Sequence, residues 1–244
     1  MSAALPAIRG ILFDKDGTLL DYHATWAPLN KQAALAAAGG DAAVAEQLLV
    51  AGGYDPASDS HRPNSLLVSA SNAEIAGSWA ALLGADPAQL TARITGIFEA
   101  NSAATAVAVA GMEAVVAALK GRGLALGVAT NDSEDSAYAS LAPFGVVDHF
   151  AFVAGFDSGY GAKPGPGMVE AFCAATGLAP ETVAVVGDSL HDLEMGRQAG
   201  AGLLVAVLTG TGGRDDLARH AHHVLDSIAD LEALLDALAA KRSA

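Results

Sequence analysis

The amino-acid sequence predicts an α/β protein in which a doubly wound parallel sheet carries an inserted all-helical domain. Short, continuous apolar runs alternate with helical patterns over most of the chain, as buried parallel strands and their covering helices do. One long stretch after the first run has helical periodicity only, which indicates an insertion. Polar residues directly follow several of the runs, at the sheet edge where this class of fold binds ligands.

Five apolar runs predict the strands of the sheet. Each is short and continuous, as expected for a strand that is buried on both faces. Segments with helical periodicity lie between them and after the last one. The predicted strands span 10–13, 124–129, 150–154, 183–186 and 203–208. The predicted helices span 112–120, 135–141, 167–176, 190–199 and, as a last helix packed on the sheet, 226–240.

The insertion is predicted to be a helical cap domain, 21–106, on a core domain formed by 1–20 and 107–244. Ala and Leu recur in it at helical spacing, and its helix ends are marked. Ser71 and Glu74 fit a capping box, and other ends carry glycine or an aspartate before proline. The predicted cap elements are helices at 26–38, 41–50, 72–83 and 87–100 and a polar loop at 54–65.

Composition narrows the classes of function. The chain has 244 residues, 52% of them hydrophobic and 16% charged, which predicts a globular protein with a substantial core. A net charge of −14 repels nucleic acid and anionic membranes, and Gly111 and Glu113 interrupt the most membrane-like window, 102–119. The single Cys173 is consistent with a reducing compartment. With no signal-peptide pattern at the start, we expect a cytoplasmic protein.

The strongest motif is Phe13–Leu19, directly after the first strand. Asp14 and Asp16 can be aimed at one small volume, while the turn at Gly17 exposes backbone N–H groups beside them. Paired carboxylates suit Mg²⁺, whose remaining positions water and a substrate phosphate would fill. The alternative is an ordinary turn after a strand, because Asp and Gly are common turn residues.

Other strand ends carry polar residues too. Thr130 and Asn131 follow the second strand, Lys163 stands in a loop framed by Pro and Gly, and Asp188 and Asp192 follow the fourth strand. Taken singly, each has an ordinary interpretation: a local backbone hydrogen bond, a solvated lysine or a helix cap. Those interpretations require separate coincidences at the same edge of one sheet, so we favour a single ligand site.

The order of these motifs resembles the haloacid dehalogenase superfamily of phosphohydrolases, over residues 9–208. The resemblance implies a Rossmann-like core, and the insertion resembles the small cap of the phosphoglycolate phosphatase and phosphoglucomutase branch. The residues that match its four motifs are Asp14, Asp16, Gly17 and Thr18; then Thr130; then Lys163; and finally Asp188, Ser189 and Asp192.

This resemblance implies a mechanism. Asp14 would attack phosphorus to form an aspartyl phosphate, while Asp16 would give a proton to the leaving oxygen and later take one from water. Mg²⁺ would be held by the Asp14 carboxylate, the Asp16 backbone carbonyl and Asp188. Thr130 and Lys163 would contact the phosphate oxygens.

We also predict roles for three residues outside this catalytic and metal-binding set. Asn131 is expected to contact substrate, and Asp192 to support the metal's water shell or to orient Lys163. Lys15 departs from the family pattern, which more commonly has an apolar residue there. It is expected either to interact with phosphate or to project to the other side.

The predicted function is hydrolysis of a small phosphorylated metabolite, phosphoglycolate-like or a sugar phosphate, with Mg²⁺. Arg62 in the cap loop is the foremost candidate for gripping a substrate carboxylate, because a guanidinium can bind it in a bidentate fork. A sugar-phosphate mutase uses the same core residues and stays an alternative, as does a non-catalytic module on the same fold. The Ala-rich cap could also form a homodimer surface. The other candidate cap contacts are His23, Trp26, His61, Asn64 and Ser65.

Overall fold

The computed structural model describes residues 7–62 and 65–243. In that part of the chain, the strands are β1 (Gly10–Phe13), β2 (Tyr54–Asp55), β3 (Ser60–His61), β4 (Ala125–Ala129), β5 (Phe150–Ala154), β6 (Val183–Gly187), β7 (Leu203–Val207) and β8 (His223–Leu225). The helices are α1 (Tyr22–Ala37), α2 (Ala42–Ala51), α3 (Leu66–Ser69), α4 (Asn72–Leu83), α5 (Pro87–Thr105), α6 (Met112–Gly121), α7 (Glu134–Leu141), α8 (Gly167–Thr176), α9 (Leu190–Gln198), α10 (Arg214–Leu217) and α11 (Leu231–Ser243).

A parallel sheet forms the centre of the first unit, with the strand order β5-β4-β1-β6-β7-β8. Gly10 at the start of β1 pairs with Ala125 of β4 on one side and with Val183 of β6 on the other. All four residues of β1 are buried, as the continuous apolar run predicts. The predicted α/β class is therefore confirmed, and the carboxyl end of β1 lies between those of β4 and β6.

Close packing of α8 on the sheet explains a glycine in the middle of a strand. A Cβ atom at Gly127 in β4 would lie 2.8 Å from the ring of Phe172 in α8. Glycine ordinarily weakens a strand, and here it lets a large aromatic side chain approach the backbone. Phe172 is fully buried, so this contact helps to fix α8, and with it the preceding loop, against the sheet.

The chain divides into two compact units, whose described residues form the elements given above. The first unit comprises Met1–Asp21 and Ala108–Ala244, and the second comprises Tyr22–Val107. The second unit has its own apolar core, in which the buried Trp79 donates a hydrogen bond from Nε1 to the Leu48 carbonyl at 3.0 Å. Its helix α4 begins at the predicted capping box: the Ser71 and Glu74 side chains each accept a hydrogen bond from the other residue's backbone N–H.

The structure departs from the sequence predictions at a few places. The segment predicted as a polar loop contains a short antiparallel pair, in which Tyr54 lies opposite His61, so the second unit is not entirely helical. No apolar run predicts strand β8, because it is a three-residue, half-buried strand at the edge of the sheet. The last helix begins at Leu231 instead of residue 226. No helix among the described residues is long and apolar enough to cross a membrane.

Candidate active site

Polar residues directly follow three adjacent strands at the carboxyl edge of the sheet. Asp14 follows β1, Thr130 follows β4 and Asp188 follows β6, and β1 lies between the other two. The Asp14 backbone N–H continues the ladder with a 2.8 Å hydrogen bond to the Val186 carbonyl. Because parallel neighbours end at the same edge, residues far apart in sequence come together here.

Lys163 joins two of the predicted carboxylates. Its Nζ lies 2.5 Å from Asp14 Oδ1 and 2.7 Å from Asp192 Oδ1, and all three side chains are buried. Asp192 is held in turn by the start of α9, where its Oδ2 accepts hydrogen bonds from the Ser189 backbone N–H (3.0 Å) and hydroxyl (2.6 Å). Asp192 thus caps α9 and also forms an ion pair with Lys163, so it makes the contacts of two roles that the sequence presented as alternatives.

Asp188 is held by the loop after β7. Its Oδ2 accepts hydrogen bonds from the Thr211 backbone N–H at 2.7 Å and from the Thr211 hydroxyl at 3.3 Å. A Cβ atom at Gly210 would lie only 1.9 Å from the same oxygen, so only glycine fits there. This loop could not be predicted as part of the site, because Thr and Gly after a strand carry no specific signal on their own.

An acidic cluster results from these contacts. Asp14, Asp188 and Asp192 each place one carboxylate oxygen within 4.8 Å of the others. Burial raises the pKa of Asp14 well above its ordinary value, against the opposing effect of Lys163. Burial, reinforced by Asp192, raises the pKa of Asp188 to about 7. Burial would lower the pKa of Lys163, but Asp14 and Asp192 more than offset it, and that pKa is raised.

The cluster has the chemistry of a site for a hard cation. Asp14 Oδ2 is buried and has no hydrogen-bond partner among the described residues, which is costly unless something else binds there. Carboxylate oxygens are the ligands that Mg²⁺ prefers. The Asp16 carboxylate, by contrast, forms an ion pair with a lysine outside this cluster. The metal contact expected of Asp16 is made by its backbone carbonyl instead.

That lysine is Lys15, whose side chain is fully buried. Its Nζ lies 2.8 Å from Asp16 Oδ2 and 3.1 Å from Asp132 Oδ2. Of the two expectations for Lys15, neither included a pair of carboxylate partners. Asp132 was not singled out by the sequence, although it directly follows Thr130 and Asn131.

The Thr130 and Asn131 side chains form hydrogen bonds with backbone groups. Thr130 Oγ1 accepts a 3.1 Å hydrogen bond from the Asp132 backbone N–H, the local contact that Thr commonly makes. Asn131 accepts a hydrogen bond from the Lys163 backbone N–H at 2.8 Å and donates one to the Lys163 carbonyl at 3.2 Å. Asn131 therefore clamps the loop that carries Lys163, which is a positioning contact distinct from the expected substrate contact.

The candidate cap residues belong to the second unit. Arg62 is exposed, and its Nη2 lies 3.4 Å from the Val50 carbonyl, at the limit of a hydrogen bond. His61 is buried, with its Nε2 at 3.3 Å from Asn30 Nδ2, and Trp26 packs edge-on against Phe98. Among the other candidates, the ring of His23 stacks on His61 and Asn64 lies outside the described residues.

Comparison with known proteins identifies the family of the chain. A family model of haloacid dehalogenase-like hydrolases matches residues 8–200. A phosphoglycolate phosphatase from Cereibacter sphaeroides (strain ATCC 17029 / ATH 2.4.9) is 31% identical over 219 residues, which span 82% of this chain and 84% of that protein. The N-acetylmuramic acid 6-phosphate phosphatase of Pseudomonas aeruginosa is 25% identical and aligns over 79% of each chain. Two other relatives align over only 56% and 37% of their own lengths.

A solved structure has the same fold. The haloacid dehalogenase family hydrolase from Deinococcus radiodurans R1, which was solved with bound phosphate and sodium, superposes with a TM-score of 0.70. The alignment covers 97% of this chain and 98% of that one at 21% sequence identity.

Fold and site together define an α/β protein with a buried acidic centre at the carboxyl edge of a parallel sheet. The chain belongs to the haloacid dehalogenase-like hydrolase family. Within that family, the chain is similar to a phosphoglycolate phosphatase over most of its length.

Proposed function

We propose that this protein hydrolyses a small phosphomonoester with Mg²⁺ through a phosphoryl group carried on Asp14. The observation that carries the proposal is the state of the Asp14 carboxylate. One of its oxygens lies 2.5 Å from the buried Lys163 Nζ, and the other is buried without a partner among the described residues. A nucleophile needs such an arrangement, with one oxygen fixed by a cation and the other available for attack.

The proposed reaction has two steps. In the first, an Asp14 oxygen attacks phosphorus, the bond between phosphorus and the leaving oxygen breaks, and Asp16 protonates that oxygen. In the second, Asp16 takes a proton from water, the water oxygen bonds to phosphorus, and the bond to Asp14 breaks. Free phosphate leaves, and both aspartates return to their starting states. Lys163 stays beside Asp14 throughout and offsets negative charge.

Mg²⁺ fits the residues that are present. The Asp14 and Asp188 carboxylates and the Asp16 backbone carbonyl would hold it, and Asp192 would fix Lys163 beside them. When bound, the ion supplies positive charge that reduces repulsion between the Asp14 carboxylate and the phosphate. The carboxylate oxygens of Asp14, Asp188 and Asp192, which lie within 4.8 Å of one another, support this assignment.

The proposed substrate class is a phosphomonoester that also bears a carboxylate. The named relatives include phosphatases for phosphoglycolate and for N-acetylmuramic acid 6-phosphate, and both of those compounds are carboxylic acids. A sugar phosphate without a carboxylate is the second candidate. The alternative of a mutase has the same core residues, and the non-catalytic alternative is weakened because Asp14, Asp16, Lys163 and Asp188 are all in place. A cytoplasmic location and a homodimer stay predictions of the sequence.

A substrate panel tests the proposed function. Purified protein is incubated with phosphoglycolate, ethyl phosphate and hexose phosphates, with Mg²⁺ or with a chelator, and both released phosphate and isomerised sugar phosphate are measured. We expect metal-dependent phosphate release that is fastest with phosphoglycolate. Formation of an isomer without phosphate release would identify a mutase, and a folded protein that releases no phosphate from any substrate would refute the proposal.

The proposed role of Arg62 makes a separate prediction. Arg62→Ala is expected to raise KM for phosphoglycolate by about tenfold with little change in kcat, because a charge-assisted hydrogen bond contributes roughly 1.5–3 kcal/mol. Ethyl phosphate, which lacks the carboxylate, should show no such change. Arg93→Ala is the matched control, since Arg93 is an exposed arginine of the same unit that donates to the Ala36 carbonyl at 3.2 Å. Equal effects on both substrates would exclude a carboxylate contact at Arg62.

A further inference from the structure

The second aspartate of the first motif is held by a buried lysine. Lys15 Nζ lies 3.0 Å from Asp16 Oδ1 and 2.8 Å from Asp16 Oδ2, so one ammonium spans both oxygens of the carboxylate. The same Nζ lies 3.1 Å from Asp132 Oδ2. Lys15 has no exposed surface, and a buried lysine is costly unless its charge is paired and its hydrogen bonds are satisfied. The Asp16 and Asp132 carboxylates therefore constrain the Lys15 ammonium.

Asp132 is itself fixed. Its Oδ2 accepts a 2.6 Å hydrogen bond from the Ser136 hydroxyl, and its Oδ1 accepts a 2.8 Å hydrogen bond from the Ser133 backbone N–H. Ser133 is the N-cap of α7. The carboxylate that supports Lys15 is thus anchored to the start of a helix, just as Asp192 is anchored to the start of α9.

The site therefore contains two arrangements of the same kind. Lys163 lies between Asp14 and Asp192, and Lys15 lies between Asp16 and Asp132. Each lysine is buried, each contacts one aspartate of the first motif, and each is supported by a carboxylate at the start of a helix. Asp16 remains partly accessible, with 16% of its side chain exposed, whereas Lys15 is enclosed. A ligand can thus reach Asp16 but cannot reach the lysine behind it.

We propose that Lys15, supported by Asp132, is a positioning residue that fixes the orientation of the Asp16 carboxyl group for proton transfer. The inference rests on the proposed function, in which Asp16 protonates the leaving oxygen. Because Lys15 is enclosed, it acts through Asp16 and makes no contact with substrate. An apolar side chain at position 15 could not hold the two carboxylate oxygens of Asp16 as this ammonium does.

The test compares two leaving groups in the first turnover. Proton donation matters for an alkoxide leaving group, as in phosphoglycolate, and matters little for p-nitrophenolate, which leaves unprotonated. Lys15→Met keeps most of the side-chain volume and removes the ammonium. We expect it to slow the first turnover of phosphoglycolate by about 30-fold, part of the roughly 10²–10⁴-fold that a positioned general acid supplies. The first turnover of p-nitrophenyl phosphate should change less than about threefold, and KM should be unaltered.

A double-mutant cycle shows whether Lys15 acts through Asp16. In the Asp16→Asn background, Lys15→Met should cause little further loss with phosphoglycolate, because residues that act as a unit are not additive. Asp132→Asn should reproduce the leaving-group dependence with a smaller loss, and it provides the test if Lys15→Met does not fold. Lys120→Met, at an exposed lysine of the same unit, is the matched control and should leave both substrates unaffected.

Equal losses with both leaving groups would overturn the proposal, as would a full additional loss from Lys15→Met in the Asp16→Asn background. A crystal structure of Lys15→Met gives an independent readout: we expect the Asp16 carboxylate in a different orientation, and an unchanged orientation would also overturn the proposal. Failure of the proposed function is distinguishable, because wild-type protein would then show no phosphate release that depends on Asp14, whatever the structure of the Lys15 variant.

Discussion

Asp14→Asn is expected to lower kcat for phosphate release by roughly four orders of magnitude or more, the scale of loss when a catalytic nucleophile is removed. The amide is nearly the same size as the carboxylate, so the packing around it can be kept. Its oxygen can still face Lys163, which lies 2.5 Å from Asp14 Oδ1. The amide, however, lacks the negative charge that makes the second oxygen a nucleophile. The loss should therefore appear in kcat with every substrate.

Two measurements check this prediction. Steady-state phosphate release compares the variant with wild type and with Asp215→Asn, which changes an exposed aspartate at α10 and should retain full activity. Acid quenching during turnover, followed by peptide mass spectrometry, should find a phosphoryl group on Asp14 of the wild type. A variant that keeps more than a few per cent of wild-type kcat would show that Asp14 is not the nucleophile.

The second prediction concerns Asp188 and the metal. Mg²⁺ should raise the thermal unfolding temperature of the wild type, because a ligand that binds only the folded state stabilises it. Asp188→Asn should abolish most of this shift and lower kcat by roughly a thousandfold, since a bound metal contributes several kcal/mol to transition-state stabilisation. The metal-free variant should unfold at a higher temperature than the metal-free wild type at pH 8, because one buried, like-charged carboxylate is gone.

The direction of the pH dependence follows from the raised pKa of Asp188, which burial and Asp192 bring to about 7. Between the ordinary pKa of an aspartate and pH 7, the folded metal-free protein holds a proton that the unfolded chain has lost. The stability of the metal-free protein therefore falls as pH rises through that range. Mg²⁺ binds the ionised carboxylate, so the shift it produces should be larger at pH 8 than at pH 6.

These expectations are measured by thermal unfolding with Mg²⁺ or a chelator at both pH values. Asp215→Asn again serves as the control and should respond to Mg²⁺ as the wild type does. An undiminished Mg²⁺ shift in Asp188→Asn would exclude Asp188 as a ligand. A shift that is larger at pH 6 than at pH 8 would contradict competition between the metal and a proton.

The elements that could be predicted best are those whose signals are local. β1 and α8 have the bounds that the sequence predicts, since an apolar run or a helical pattern ends at a turn signal in each case. α4 begins where its capping box predicts. β8 could not be predicted, because an edge strand of three half-buried residues depends on its pairing with β7 and not on its own composition.

Among the site residues, too, those with a local sequence signal could be predicted and those that depend on long-range contacts could not. Asp14 could be singled out because it follows a buried strand within a specific motif. The contact of Lys15 with Asp132 could not, because Asp132 lies 117 residues further along the chain and only the sheet brings the two together. The hydrogen bonds between the Asn131 side chain and the Lys163 backbone likewise join two separate loops, so the spacing of residues in the sequence could not predict them. Sequence patterns thus indicate the candidate reactive residues more readily than the side chains that contact them.

The position of β1 in the sheet has a consequence for synthesis of the protein. β1 leaves the ribosome first, yet its two neighbours, β4 and β6, begin at Ala125 and Val183. The whole of Tyr22–Val107 is translated before either neighbour exists, so that unit can fold while β1 is still an unpaired apolar strand. Such a strand is a template for wrong pairing until its partners arrive. The nascent chain must therefore keep β1, the strand that Asp14 follows, from aggregating until synthesis has passed Val183.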